Sequence, residues 1–346
     1  MKIVEYKFKS EKATMPTFNS EFTYTYNDVV NNDGTTIRVI ESDTLPTQIS
    51  FMGCTGLLEL IDINMSHVTT AYGMFYKCSN VTSINLGEYD TPYLETTEGM
   101  FNSCIKLETI EFGELNTSKV HNMGGMFSDC RILESIDFDK IDVSLNSNFG
   151  AMFRRCYKMR HFNVNNWDVS NGVNFTTTFS ECNTATTIDI SNWTFNNSQE
   201  IDLSNLFYSC AKLSQIELPI IDSSSITLFK LFSTCPELKK VDLTNVKLDV
   251  VQSISGIFEK CNKLNTLILN YSNASAINKL LPLLPINDNT NKVIYAYFCT
   301  EINKINKSLN NSWKISIGKS NGNVKGINKI ISNDKIIIPM SGEKFL

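Results

Sequence analysis

The chain has 346 residues, of which 42% are hydrophobic, and its formal net charge is −5. This acidic balance argues against a nucleic-acid-binding protein, because such proteins usually present a basic face to phosphate. No stretch reaches the ~18 consecutive apolar residues of a membrane-spanning helix, so we expect no membrane span. The first ten residues, MKIVEYKFKS, lack the apolar core of a secretory signal. We therefore expect a protein that is made in a cytoplasm and either stays there or leaves by lysis or as part of an assembly.

Residues 1–48 have the pattern of a small β element. Apolar residues at 3–8 predict a first strand, and aromatic residues alternate with threonine at 22–26. Asn-Asn-Asp-Gly at 31–34 predicts a turn, followed by alternation at 37–39. We interpret this segment as an N-terminal cap on the rest of the chain, or as an attachment element.

From residue 49 the chain repeats one short motif, Phe-x-x-Cys, nine times. Successive motif cysteines lie 24 to 28 residues apart, and a period in this range indicates a solenoid in which each coil packs on its neighbours. We assign residues 49–300 to this solenoid. The motif cysteines are Cys54, Cys78, Cys104, Cys130, Cys156, Cys182, Cys210, Cys235 and Cys261.

The spacing of these cysteines argues against zinc sites and disulfides. Zinc ligands come in close pairs such as Cys-x2-Cys, and the sequence contains no such pair. One cysteine per coil at a fixed phase is instead typical of a small buried residue that fills the core. We expect no metal and no cofactor.

Three apolar columns follow each cysteine, at offsets of three, six and eight residues. After Cys130 they are Leu133, Ile136 and Phe138, which is the L-x-x-I-x-L core of a leucine-rich repeat. The last two positions predict a short strand, and the segment at 125–130 predicts a helical turn facing the same core. In the first coil we predict a one-residue slip that gives Leu58, Ile61 and Ile63.

A fourth column lies eleven residues after most of the cysteines and is apolar throughout. It contains Trp167 and Trp193. Large aromatic side chains mostly bury, so we interpret both as core residues in preference to exposed platforms for a sugar.

The repeat degrades toward the C-terminus. Residues 272–284 predict a helix that Pro282 and Pro285 end. Strands are predicted at 293–295 and 315–317, with a helix at 301–309 between them. We assign residues 301–346 to a degenerate coil and a C-terminal cap or tail.

The coil sequence resembles a known family. Gly125-Met126-Phe127-x-x-Cys130-x-x-Leu133, together with Trp167-Asp168-Val169-Ser170, is similar to the BspA-like leucine-rich repeat surface proteins of the DUF285 type. The resemblance covers about residues 50–300 and weakens after Cys210. It implies an α/β solenoid of right-handed, leucine-rich-repeat-like coils, with a parallel β-sheet on the concave face and short helices on the convex face. Members of that family are bacterial adhesins and ligand-binding surface proteins, and similar coils occur in phages and prophages.

The residue between the two strand positions of each coil points away from the core. We call this set the front column: Asn85, Glu111, Asp137, Asn163, Asp189, Glu217, Asp242 and Ile268. A flanking column is mostly small and polar: Ser83, Thr109, Ser135, His161, Thr187, Gln215, Lys240 and Thr266. We predict that the front column, with His161, is a binding surface for sugars, a basic partner or a divalent cation. The alternative is a merely solvated face.

No pattern of catalytic residues accompanies the three histidines of the chain, so we expect no enzyme. We predict a recognition or structural subunit of a phage tail, baseplate or tail-like particle, which binds a bacterial surface protein, a glycan or other particle subunits. Its location is then the virion or particle. The alternative is an adhesin at the bacterial cell surface that binds host protein or glycan.

Overall fold

The computed structural model describes residues 1–12, 15–196, 199–221, 223–270, 274–285, 292–297, 313–318, 327–331 and 336–337. The predicted helix at 301–309 lies outside the described residues. Within them, no helix is both long and apolar enough to cross a membrane.

The described part of the chain consists mainly of short strands. In chain order they are β1 (Lys2–Lys9), β2 (Thr17–Phe18), β3 (Thr25–Val30), β4 (Thr35–Glu41), β5 (Ile49–Ser50), β6 (Leu57–Ile63), β7 (Ser83–Asn85), β8 (Thr109–Glu111), β9 (His161–Phe162), β10 (Thr187–Ile188), β11 (Glu200–Asp202), β12 (Gln215–Glu217), β13 (Ser225–Thr227), β14 (Lys240–Leu243), β15 (Val251–Ser253), β16 (Thr266–Asn270), β17 (Val293–Tyr297), β18 (Lys314–Gly318), β19 (Ile327–Ile331) and β20 (Ile336–Ile337). The helices are α1 (Ala274–Leu280) and three short 3₁₀ helices, Phe138–Lys140, Leu248–Val250 and Leu281–Leu283.

These strands build a parallel β-solenoid of about nine turns. On one side, which we call the front, β6, β7 and β8 pair in parallel, as do β9 with β10 and the series β12, β14, β16, β17 and β18. A second line of parallel pairing includes β11, β13 and β15 and single bridges such as Asn122 to Asn148. The predicted solenoid is therefore confirmed.

The segment that contains Phe-x-x-Cys is a series of turns, so the prediction of a short helix in each coil was wrong. Around Cys130, alternate N–H groups donate to the next coil: Met123 to Asn148, Gly125 to Gly150, Phe127 to Met152 and Asp129 to Arg154, at 2.7–3.2 Å. The intervening N–H groups donate three residues back, as in Cys130 to Phe127. Phe and Cys three residues apart suit a helical turn and a β-turn equally, which is why the spacing misled. We call the bonds between coils the turn ladder.

Two residues in each turn segment adopt left-handed backbone conformations. The residue before each motif cysteine has φ between 58° and 73°, and from the second coil on the residue four positions earlier has φ between 51° and 67°. Most of these residues are not glycine, although left-handed conformations cost a side-chain-bearing residue ~1–2 kcal/mol. Thr177, at φ 59°, is also β-branched, which makes the conformation still less favourable.

The rings and thiols of the motif form two continuous stacks inside the solenoid. The nine phenylalanine rings from Phe51 to Phe258 lie with neighbouring centroids 5.5–6.0 Å apart and planes within 15° of parallel. Each thiol from Cys78 to Cys261 donates to the phenylalanine carbonyl of the preceding coil at 2.9–3.3 Å. The nine described cysteines are free, and eight are fully buried. Cysteine therefore fills space, as predicted, and also links neighbouring coils.

The apolar columns are buried as predicted apart from Ile110 and Ile136, which are half-buried, and with one correction in the first coil. Leu57, Leu60 and Ile63 are its buried residues, and Leu60 pairs with Ile84 of the next coil. The predicted slip to Leu58 and Ile61 was therefore wrong at two of its three positions. β6 also pairs with the N-terminal strand β1, and irregularities in that pairing displace the register by the end of the strand.

Both tryptophans are core residues, as predicted. Trp193 is 1% exposed, and its indole N–H donates to the carbonyl of Val164 at 2.8 Å. Trp167 is 8% exposed and packs between Phe138 and Phe149.

Antiparallel strands flank the parallel sheet at both ends. At the N-terminus β1 lies between β4 and β6, and β3 completes a hairpin with β4 as the turn at 31–34 predicted. β3 begins at Thr25, so Phe22 and Tyr24 precede this strand and pack with Phe18. At the other end β19 pairs antiparallel with β18. The predicted helix at 272–284 appears as α1 and a following 3₁₀ turn.

Replacing Thr177 by glycine relieves a strained backbone, so we expect Thr177→Gly to raise the free energy of unfolding by about 1 kcal/mol. The matched control is Thr176→Gly, since Thr176 has no positive φ and the added chain freedom destabilises the fold there. Urea unfolding followed by circular dichroism measures both. A lower stability for Thr177→Gly would contradict the strain.

Burial raises the pKa of all eight inner thiols above the ordinary value of 9.0, to about 12 for Cys261. The folded state thus holds thiol protons that the unfolded chain releases. This contribution to stability is complete below pH ~9 and is lost as pH rises toward the folded values, at ~1.4 kcal/mol per pH unit and thiol.

We therefore expect the free energy of unfolding to be nearly constant between pH 7 and 8 and to fall steeply above pH 9. Urea titrations at each pH measure it. In Cys130→Ala/Cys156→Ala the fall should be shallower by about a quarter, because two of the eight buried thiols are gone. An unchanged slope in that variant would show that other groups cause the alkaline loss.

Candidate binding surface

The residues of the predicted front column, and His161 of the flanking column, lie along the front strands. Glu111, Asp137, Asn163, Asp189 and Glu217 are exposed. Asn85, Asp242 and Ile268 are half-buried, and His161 is exposed in β9. Neighbouring members stand in register, as in Asn85 with Glu111 and Glu217 with Asp242.

The front sheet is not continuous along this column. Pairing stops after β8 and again after β10. At the first interruption Asp137 precedes a 3₁₀ helix, Phe138–Lys140, and its carboxylate accepts the N–H of Asp139 at 3.2 Å. The structure therefore brings the predicted residues into one line but supports them on separate groups of strands.

Several members of the column have a structural task that the sequence analysis missed. Asn85 accepts the N–H of Gly87 at 2.9 Å, and Asp189 accepts both the N–H and the hydroxyl of Ser191, at 3.0 and 2.8 Å. Each such side chain caps a turn two residues ahead, as Asp and Asn commonly do. The signal was present in the sequence as Asx followed two residues later by Gly or Ser.

Asp242 belongs to the same group, because its carboxylate accepts the N–H of Thr244 at 3.0 Å. The glutamates Glu111 and Glu217 make no such cap in the described part of the chain, and their carboxylates face solvent. His161 contacts the hydroxyl of Thr187 through Nδ1 at 3.0 Å. The front column therefore contains side chains that cap turns, such as Asp189 and Asp242, and side chains that cap no turn among the described residues, such as Glu111 and Glu217.

Several carboxylates line a shallow pocket of about 580 Å³ beside the first interruption of the front sheet. It is lined by Glu88, Glu111, Glu114, Asp137 and Lys140, among others. Over the described residues, no group of three or more His, Cys, Asp or Glu side chains has the arrangement of a metal site.

A cluster of cations absent from our predicted site lies on the coils of Cys130 and Cys156. Arg155 reaches Glu181 at 3.0 Å and Asp129 at 3.6 Å, and so connects three successive coils. The hydrogen bond that the Arg155 guanidinium donates to the Glu181 carboxylate raises the pKa of Arg155. Asp129 also binds Arg131 at 3.0 Å.

Beside this network lies a cleft of about 460 Å³, the arginine cleft. Its lining is mainly cationic and aromatic, and consists of Arg131, Ile132, Glu134, Tyr157, Lys158, Arg160 and Thr184. The guanidinium of Arg131 lies 6.0 Å from the centroid of the Tyr157 ring. Arg160 adjoins His161 of the flanking column, so the cleft borders the front surface.

Because the aspartate side chains cap turns, replacement by asparagine keeps an oxygen that accepts the turn N–H, whereas replacement by alanine removes it. We expect Asp189→Ala to lower the free energy of unfolding by about 1 kcal/mol and Asp189→Asn to leave it within about 0.5 kcal/mol. Thermal unfolding measures both variants. Glu111→Ala, which removes a carboxylate without a cap, serves as the control. Equal losses for Asp189→Ala and Asp189→Asn would assign the effect to charge.

Comparison with known proteins identifies the repeat. The profile of one family, described as "Mycoplasma protein of unknown function, DUF285", matches residues 48–162, 132–228 and 226–333. No curated protein and no solved structure matches the chain. Because the three matches together span well over half of the sequence, this chain belongs to the DUF285 family.

Proposed function

We propose that this protein is a non-enzymatic recognition subunit that binds a surface protein or glycan, or a neighbouring subunit, through the front of its solenoid. The observation that carries the proposal is the regular presentation of polar side chains there. Pairs such as Glu217 and Asp242 stand on adjacent parallel strands, which lie ~4.8 Å apart. Such spacing offers repeated polar contacts to an extended partner.

The chemistry of the carboxylates and thiols favours binding over catalysis. Asp137, Asp189 and Asp242 accept hydrogen bonds from their own turns, which explains them without an acid–base role. The motif thiols from Cys78 to Cys261 are buried with raised pKa, whereas a nucleophilic cysteine needs a lowered one.

We place this recognition protein in a phage tail, baseplate or tail-like particle, as the resemblance to phage-encoded coils suggests. The bacterial cell surface is the second setting, because adhesins use similar coils. Immunogold labelling separates the two. Gold on released particles supports the first setting, and gold on intact, unlysed cells supports the second.

The test of recognition uses the purified protein on immobilised bacterial envelopes and on an array of bacterial and host glycans. We expect saturable binding that Glu111→Lys/Glu217→Lys reduces at least tenfold, since these two glutamates are uncommitted on the front. The matched control Glu95→Lys/Asp249→Lys makes the same charge change at two exposed carboxylates outside the front column. It should bind like the unmodified protein.

Equal losses in both double variants would show a general charge effect, and no loss in either would remove the front column from the contact. Glycan products are examined in parallel by reducing-end assay. Turnover of any bound glycan would contradict a non-enzymatic role.

A further inference from the structure

Arginine is distributed very unevenly in this chain. The sequence contains five arginines, and four of them lie between residues 131 and 160: Arg131, Arg154, Arg155 and Arg160. The coil register brings this stretch onto two successive turns, with Tyr157 and Lys158 between them. Elsewhere in the solenoid the cations are lysines. Arginine differs from lysine in its planar fork of donors, which matches carboxylate and sulfate groups with two parallel hydrogen bonds.

Part of the cluster is fixed by internal ion pairs. Asp129 holds Arg131 at 3.0 Å and Arg155 at 3.6 Å, and Glu181 holds Arg155 at 3.0 Å and Arg154 at 3.5 Å. These pairs account for three arginines, and they orient Arg131 at the edge of the cleft. A fixed donor loses little freedom when a ligand binds.

The two remaining cations of the cluster, Lys158 and Arg160, do not take part in these internal ion pairs. Lys158 and Arg160 are exposed and form no ion pair with any residue that the structure describes. With Arg131 they contribute three cations to the cleft lining, against the single carboxylate of Glu134. In a chain of net charge −5, the arginine cleft is a local excess of positive charge.

The same column positions in later coils show what an ordinary arrangement looks like. Lys212 and Lys239 occupy the positions of Lys158 and Arg160, two and four residues after their cysteines. There the carboxylate of Glu237 interacts electrostatically with both lysines, and it forms an ion pair with Lys263 at 2.7 Å. Those coils contain only lysine and balance it with a carboxylate.

We propose that the arginine cleft binds the carboxylate or sulfate group of an acidic saccharide. The volume of about 460 Å³ falls in the range of small-ligand sites and accommodates one or two sugar rings. Tyr157 and Ile132 give the cleft an apolar wall for the C–H face of a sugar, while the three cations receive its anionic group. The inference rests on the proposed recognition function and names the ligand class for one part of that surface.

The test titrates the full chain, by calorimetry at low salt, with four probes. They are an oligogalacturonate, which contains only carboxylates, a sulfated dextran oligomer, which contains only sulfates, neutral maltohexaose, and sodium sulfate. We expect the first or the second to bind saturably and maltohexaose to give no heat. Which acidic oligomer binds identifies the anionic group.

The variants compare the cleft with its later counterpart. Lys158→Ala/Arg160→Ala should weaken binding of the acidic oligomer at least ~30-fold, by the size of charge-assisted hydrogen bonds. Arg160→Lys should weaken it several-fold, because the charge remains and the fork is lost. The control Lys212→Ala/Lys239→Ala removes the same charge from the same columns and should bind normally. All four positions are exposed, so circular dichroism should show unchanged folding.

Equal weakening by the control, or binding of maltohexaose as tight as that of the acidic oligomers, would overturn the inference. Binding of sodium sulfate as tight as that of the sulfated oligomer would also overturn it, since the sugar would then contribute nothing. If envelopes are bound equally well by the unmodified protein and by Lys158→Ala/Arg160→Ala, the inference fails while the proposed recognition function stands.

Discussion

One hydrogen bond, repeated from coil to coil, governs the architecture: an N–H in the turn segment donates to a carbonyl of the next coil. Alternate N–H groups are used in this way, and those between them close turns within their own coil. Because all the donors are thereby satisfied, the turn segment buries without forming a helix. The left-handed residue before each cysteine and the inward direction of Phe and Cys both follow from this alternation.

Much of the fold could be predicted from periodicity alone, because periodicity reports which residues share a column. The columns at Leu133 and Phe138, the burial of Trp193 and the turn at residues 31–34 are all local patterns with one physical meaning. The turn segment was mispredicted because a spacing of three residues is common to helices and β-turns. Only the two positive φ angles decide between them, and Lys77 or Asp129 gives no sign of that conformation in the sequence.

The candidate site shows a similar division. The repeat period was enough to place the front-column residues in one line, but it could not show that Asp189 caps its own turn, since that depends on where the strand ends. Four arginines in thirty residues were visible in the sequence. Their meaning required the coil register, which places Arg131 and Arg155 on one carboxylate and leaves Arg160 beside them without an ion pair among the described residues. Charged side chains in this protein therefore complete turns, pair with one another between coils, and face solvent at a cleft.

The two interruptions of the front sheet have a dynamic consequence. At each of them, neighbouring coils are held by the turn ladder without paired front strands, as where Glu181 donates to Tyr208 across the second interruption. In a solenoid, stability is a sum over neighbouring interfaces, so such junctions are where cooperative opening begins. We expect the coils of β9 and β10, which lie between the interruptions, to exchange as a separate unit. The arginine cleft spans the first junction, with Arg131 on the coil that lacks a front strand and Arg160 on the next coil. A molecule that bridges Arg131 and Arg160 therefore ties together the coils most able to part, and occupancy of the cleft would register as slower amide exchange across the middle of the protein.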